Sequence, residues 1–162
     1  MLINLRRISG VSTLATDPRY SSEVYEQPPI GLKSPVELGT DRSGLLEMHF
    51  DPSDQVHDNF RNLVLANWGD RLGRYHFGAN LRDLCSERTS REDFDSVAML
   101  SIKTAVERYM PFIDLQTFES SFEPMPDGET RGTNIVNIKV VYNVVKLRIR
   151  DRALEVSILA MG

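Results

Sequence analysis

The side chains that could bind a metal or act as nucleophiles are few and scattered. The histidines are His49, His57 and His76, and none has a second ligand three or four residues further on. Cys85 is the only cysteine, so an intrachain disulfide is impossible and a cysteine-based zinc site would need another chain. Its place beside Leu84 favours a small core residue over a nucleophile. We therefore predict no metal site and no cofactor.

Carboxylate pairs are the other candidates for chemistry. A glycosidase needs two acids held a few ångströms apart, one of them with a raised pKa. The chain has 23 acidic residues, so pairs such as Asp70 and Glu87 can always be named and carry no information. The sequence also lacks a phosphate loop, a Gly-x-Ser-x-Gly elbow and a His-Glu-x-x-His motif. We expect no enzymatic activity and no small-molecule substrate.

The stretch from Asn62 to Leu84 contains the most informative pattern. It ends one helix, turns, and begins another. Gly69 can take the positive φ that closes a helix, and the polar pair Asp70 and Arg71 leads to a second glycine turn at Phe77–Gly78. A turn of this kind would hold two helices in a fixed relation.

Two roles are open for the polar pair in this turn. Asp70 and Arg71 could hydrogen-bond the loop backbone and hold the turn. Alternatively, Arg71 beside an exposed Trp68 could form an interaction anchor, because Trp and Arg dominate binding hot spots. The two roles are compatible.

This order of residues resembles the signature of the GPW/gene-25-like baseplate wedge proteins of contractile-tailed phages and related injection machines. The shared pattern is Asn-Leu-aliphatic-Leu, then Gly-Asp-Arg, Phe-Gly and Leu-x-x-Leu, and residues 56–162 follow the family's order of elements. The resemblance implies a structural subunit of the virion's tail baseplate, assembled in the host cytoplasm. It implies other wedge subunits and the tail sheath protein as partners, with tail tube or hub proteins as further ones. Some proteins of this type carry a lysozyme label, so a peptidoglycan-degrading tail enzyme is the alternative.

The family's second signature is Glu-Pro-Arg at the end of the long helix. Here the triplet is Met110-Pro111-Phe112, and both charges are lost. The resemblance implies that this triplet docks to the helical bundle of other wedge subunits, so an apolar contact could replace an electrostatic one. Glu107 and Arg108, just upstream, could supply compensating charges.

Three helices are predicted before any long strand. Asp51 and Pro52 are a cap and a first helical residue, and Leu81 to Cys85 forms a short second helix. A capping box at Thr89 and Glu92 opens the longest helix, which Pro111 ends. The expected core positions of the first and third helices are Val56, Phe60, Leu63, Val64, Phe94, Ala98, Ile102, Ala105, Val106 and Tyr109. The polar side of the first helix, with His57, Asp58, Arg61 and Asn62, is expected to face solvent.

Alternating residues then predict antiparallel strands. Around Ile113, Leu115 and Phe118 the apolar residues fall on both faces, whereas from Asn134 to Val144 the alternation is regular. Residues 145–150 could extend this strand or form their own. The predicted fold is α+β, with about three helices on one face of a small antiparallel sheet of three to four strands, resembling the gene-25-like fold.

The last strand, Ala153 to Met161, is apolar and ends the sequence. At a sheet edge, such a strand offers unpaired backbone groups to another chain. The resemblance implies that the first sheath ring pairs with it, with Leu154, Val156 and Ile158 as the pairing residues. The alternative is a central strand that is already paired.

The remaining sequence bounds the organisation of the chain. Residues 1–44 collect turn formers and predict an extended N-terminal arm, ordered by contact with the domain or with a partner; residues 45–162 form the predicted wedge domain. Of the 162 residues, 41% are hydrophobic and 26% charged, with a net charge of −4, which argues against a nucleic-acid partner. The sequence contains no run of about 18 apolar residues, so we predict no membrane-spanning helix. Its N-terminus does not have the pattern of a signal peptide.

Overall fold

The computed structural model describes residues 29–39, 45–86, 91–124 and 133–161. The described elements are, in chain order, β1 (Gly31–Leu32), β2 (Met48–His49), α1 (Pro52–Leu65), α2 (Leu81–Ser86), α3 (Arg91–Tyr109), β3 (Asp114–Pro124), β4 (Thr133–Val144) and β5 (Ile149–Met161). The α+β prediction is confirmed. Contacts divide the chain into two compact units, residues 1–58 and 59–162. The predicted boundary after residue 44 stays a prediction, because residues 1–28 and 40–44 lie outside the described ranges.

In the first unit, β1 and β2 form a short antiparallel ladder in which Gly31 pairs with His49. Hydrogen bonds continue the pairing on both sides: the Ile30 amide donates to the His49 carbonyl at 2.8 Å, and the Lys33 amide donates to the Glu47 carbonyl at 3.1 Å. An isolated bridge between Leu38 and Leu46 follows. The ladder joins two segments that are far apart in the sequence.

The Asp58 side chain is largely buried and hydrogen-bonded, so the prediction that it faces solvent is wrong. Its side chain is 13% exposed, and its Oδ2 lies 2.7 Å from His49 Nε2. The same oxygen accepts a 2.8 Å hydrogen bond from the Ser34 amide. Burial alone would raise the pKa of Asp58, but these hydrogen bonds and the neighbouring histidines outweigh it and lower the pKa below 3.8. The helical spacing could not reveal this partner, because Ser34 is distant in sequence.

The first helix begins as its sequence predicts. Asp51 accepts a 2.8 Å hydrogen bond from the Ser53 amide through Oδ1, and Pro52 is the first helical residue. Three of its four predicted core residues are buried, namely Phe60, Leu63 and Val64. The Phe60 ring packs edge-on against Tyr142 of β4, with ring centroids 4.8 Å apart. This contact joins the end of α1 to the middle of the sheet.

The long helix α3 also follows its predicted stripe. The residues Phe94, Ala98, Ile102, Ala105 and Val106 are buried, and the helix ends at Tyr109, two residues before Pro111. The predicted capping box at Thr89 and Glu92 falls outside the described side chains. Helix α3 packs on β3, and helix α2 packs on β5.

The second unit contains an antiparallel sheet of order β3-β4-β5. Its inner face includes Val136, Ile138, Val140, Tyr142 and Val144 from the central strand, all buried. A register shift between Leu115 and Thr117 inserts a bulge in β3, so that Leu115 pairs with Tyr142 and Phe118 pairs with Val140. Both residues therefore face the helices, which explains why simple alternation placed them on opposite faces.

A short turn separates the last two strands. Residues 145–147 form a 3₁₀ turn, and Arg148 has a φ of 56° before β5 begins at Ile149. Residues 145–148 therefore neither extend β4 nor form a strand, whereas residues 149 and 150 belong to β5, which begins before the predicted start at Ala153. Within the described residues, no strand pairs with the outer side of β5, so this strand is an edge.

The turn between α1 and α2 is fixed by a close backbone approach at Gly78. A Cβ built on this residue would lie 2.1 Å from the Ala66 carbonyl oxygen, and its φ is +111°. On either side of this contact, the Ala79 amide donates to the Leu63 carbonyl at 3.1 Å, and the Asn80 amide donates to the Ala66 carbonyl at 3.2 Å. The returning chain thus caps the carbonyls left open at the end of α1.

We predict that Gly78→Ala destabilises the chain much more than Gly73→Ala. Both glycines have positive φ, but a Cβ at Gly73 would meet nothing within 4 Å. Gly73→Ala should cost about 1 kcal/mol from backbone strain, and Gly78→Ala on the order of 3 kcal/mol, because the clash adds to the strain. Urea unfolding followed by circular dichroism measures both. Equal losses would mean that the approach to Ala66 does not constrain the turn.

We also predict that Asp58→Asn lowers stability by about 1–3 kcal/mol at neutral pH, since a charged acceptor is lost from a largely buried site. The pKa of Asp58 is lowered in the folded state. Its stabilisation is therefore complete above the unfolded value of about 3.8 and is lost as pH falls through the folded value. The difference between wild type and variant in urea unfolding should shrink over that acidic range. Asp54→Asn, on the exposed side of the same helix, is the matched control.

Candidate protein-interaction site

The loop after α1 is held by backbone and carboxylate hydrogen bonds. Asp70 Oδ2 accepts from the Asn67 amide at 2.8 Å, and the Asp70 amide donates to the Asn67 carbonyl at 3.2 Å. Gly69 has a φ of +90°, and its amide donates to the Tyr75 carbonyl at 2.8 Å. Gly69 takes the predicted positive φ, but α1 already ends at Leu65. Asp70 therefore holds the loop, as its structural interpretation predicts.

The Arg71 guanidinium lies over an aromatic ring. Its Cζ lies 3.7 Å from the centroid of the Phe77 ring, and Phe77 packs on Tyr109 of α3 with centroids 4.9 Å apart. Trp68 instead packs against His76 at 5.4 Å and donates from Nε1 to the Gly78 carbonyl at 3.3 Å. Arg71 and Trp68 therefore belong to separate aromatic groups.

A surface cavity of about 280 Å³ joins the turn to the end of α3. Its lining residues are Asn59, Leu63, Arg71, Arg74, Phe77, Tyr109, Met110 and Phe112. Two predicted features, the Gly-Asp-Arg turn and the Met110-Pro111-Phe112 triplet, therefore meet at one place. Met110 is buried in its floor, whereas the Phe112 side chain is 40% exposed. The main-chain turn that carries Phe112 is closed by the Ile113 amide donating to the Met110 carbonyl at 2.9 Å.

Arg74 is a member of this site that the sequence analysis missed. Its amide donates to the Arg71 carbonyl at 3.2 Å, which closes a turn and brings the two arginines to the same cavity. Within the described part of the chain, neither guanidinium takes part in an ion pair. The sequence signal that could have identified Arg74 is its spacing: two arginines lie three residues apart, between Gly69 and Gly78.

The upstream charges do not join this cavity. Lys103 lies 4.0 Å from Glu107 across one helical turn, and the Arg108 Cζ lies 5.4 Å from the Tyr109 ring centroid. Arg108 lines a different groove of about 490 Å³, which also includes Trp68 and Leu100. The charges beside the triplet come from the turn before α2, not from the end of α3.

The predicted pairing strand lies where another chain could reach its backbone. The side chains of Leu154, Val156 and Ile158 are buried on the inner face of β5, so an added strand would meet their backbone and not their side chains. On the outer face, Lys139 of β4 lies 3.7 Å from Glu155. Their role in pairing stays a prediction.

The remaining candidates for chemistry are Cys85 and the possible metal ligands. Burial raises the pKa of the Cys85 thiol to about 11, so little thiolate is present at neutral pH. Among the described residues, no three His, Cys, Asp or Glu side chains are arranged to hold a metal ion. No helix in the described ranges is long and apolar enough to cross a membrane.

Comparisons with known proteins support the fold. No protein-family model matches the chain, and no curated protein matches it. A chain from the cryo-EM structure of the anti-feeding prophage (AFP) baseplate superposes with a TM-score of 0.54 and 13% identity, covering 70% of this chain and 82% of that one. A candidate tail lysozyme from Geobacter sulfurreducens gives a TM-score of 0.44 and 16% identity, covering 69% of this chain and 93% of that one. The first likeness shows a shared fold, and the second is too distant to support an argument.

Proposed function

We propose that this chain is a structural subunit of a contractile-tail baseplate. It links wedge subunits to one another and initiates sheath assembly by strand pairing with the first sheath ring. The observation that carries the proposal is the fold shared with a chain of the AFP baseplate over 70% of this sequence. The Gly-Asp-Arg and Phe-Gly resemblance to baseplate wedge proteins adds an independent argument from the residues themselves.

The edge strand β5 supplies the physical means of pairing. Ile149–Met161 is 13 residues long and bonded on one side to β4, and a strand of this length presents a row of backbone donors and acceptors on its other side. An incoming sheath strand would satisfy them while the buried side chains stay in the core. Strand addition would therefore leave the packing of these side chains unchanged.

The wedge contact is assigned to the surface around the Met110-Pro111-Phe112 triplet. Phe112 is 40% exposed and follows the buried Met110, so the end of α3 presents an aromatic ring at a fixed position. A partially exposed aromatic group beside a cavity is a common anchor for a protein partner. When the baseplate changes state, a rigid domain with both contacts would pass the movement to the sheath.

The proposal includes no catalytic activity, no cofactor and no nucleic-acid partner. The net charge of −4 is unfavourable for binding phosphate backbones. A muralytic enzyme remains the competing hypothesis and predicts release of soluble fragments from peptidoglycan.

Hydrogen exchange of the full chain with and without the sheath subunit of the same particle tests strand pairing. Deleting residues 153–162 is unsuitable, because it would remove the buried side chains of Leu154, Val156 and Ile158. We expect sheath binding to slow exchange of the β5 amides that face away from β4. The amides of β3, the other edge, should exchange as before.

Site-specific labelling provides the matched control. Ser121 of β3 and Ser157 of β5 are exposed and lie on either side of Asn137 in register. In a Cys85→Ser background, a short photo-crosslinker on Ser157→Cys should capture the sheath subunit, and one on Ser121→Cys should not. Absence of sheath binding, or equal capture from both positions, would contradict pairing at β5.

A further inference from the structure

We propose that Arg71 and Arg74, together with Met110 and Phe112, form one docking site for an acidic and apolar segment of a wedge subunit. The inference rests on the proposed function for the identity of the partner. It adds the chemistry that the partner must present: a carboxylate pair for the arginines and a large apolar side chain for the cavity.

The two guanidinium groups are available to bind carboxylates of a partner. Arg71 is held over the Phe77 ring at 3.7 Å, so part of its freedom is already lost and binding costs less entropy. Both arginines line the same cavity, and neither forms an ion pair with another described residue. Two guanidinium groups in this position suit bidentate contacts with carboxylates.

Apolar side chains line the cavity between the arginines and the end of α3. Phe77 and Met110 are buried, and Phe112 is partly exposed. The cavity volume of about 280 Å³ lies just below the roughly 300–1,000 Å³ of most small-molecule sites. A single large side chain of a partner fits this space better than a cofactor does.

The cavity combines positive charge with apolar surface. A nucleic acid would pair its phosphates with the arginines but would gain little from the side chains of Met110 and Phe112. The chain as a whole carries a charge of −4, so its long-range field also repels a polyanion. A short acidic protein segment uses both the positive charges and the apolar side chains of the cavity.

The test measures the affinity of the full chain for each wedge subunit of the same particle. We expect Arg71→Glu with Arg74→Glu to weaken binding at least tenfold and to reduce its dependence on salt. Phe112→Ala should weaken it severalfold, whereas Arg71→Lys with Arg74→Lys should keep most of the salt dependence. The matched control is Arg82→Glu with Lys146→Glu, which reverses two exposed charges outside the cavity and should change affinity less than twofold. Thermal melting checks that each variant is folded.

A designed peptide, Leu-Glu-Glu-Leu-Leu-Glu-Glu-Leu, separates this inference from the proposed function. Its binding is followed by NMR through the arginine Nε–Hε signals, with the lysine-for-glutamate peptide as control. If no wedge subunit binds the wild-type chain, the proposed function fails, and arginine-dependent binding of the acidic peptide alone still supports the site. The inference is overturned if the glutamate variants bind wedge subunits like the control variant, if duplex DNA is the only arginine-dependent ligand, or if neither protein nor peptide binding depends on the arginines.

Discussion

The approach of the Gly78 backbone to the Ala66 carbonyl is the contact on which the second unit depends. It returns the chain across the end of α1 at a distance that a Cβ would forbid. Phe77, the residue before Gly78, is thereby placed against Tyr109 of α3, and Ala79, the residue after it, accepts a hydrogen bond from the Ser101 hydroxyl. One glycine therefore sets the position of two helices and of the ring on which Arg71 lies.

Much of this fold could be predicted from local sequence because its signals are local. The cap at Asp51, the break at Pro111 and the alternation of β4 each act within a few residues, and the structure confirms each of them. The bulge at Leu115 and the partial burial of Asp58 could not be predicted, because both depend on residues that are distant in the sequence. A bulge is recognised only when the partner strand's register is known, and Asp58 finds its partner Ser34 across 24 positions of sequence.

The sequence predicted two parts of the candidate site, the turn and the triplet, but not that they line the same cavity. The turn and the triplet at residues 110–112 were each recognised by their residue types, yet nothing in the spacing between Arg71 and Phe112 states that they line one cavity. Their proximity depends on the tilted ring contact between Phe77 and Tyr109, two residues that are 32 positions apart in the sequence. Arg74 was missed because its local signal, a second arginine three residues after Arg71, does not show that both side chains reach the same cavity.

The two proposed contact surfaces use different physics, and this difference suits a subunit that joins unlike partners. Strand pairing at β5 recognises backbone, which every chain has, so its selectivity depends on the position and geometry of the edge. The cavity beside Phe112 recognises side chains, and carboxylates placed correctly for Arg71 and Arg74 discriminate one partner from another. A subunit that must bind a specific neighbour first and then begin a repeating polymer needs selectivity in the first contact. In the second contact, the subunit needs a strand edge whose backbone a repeating subunit can extend.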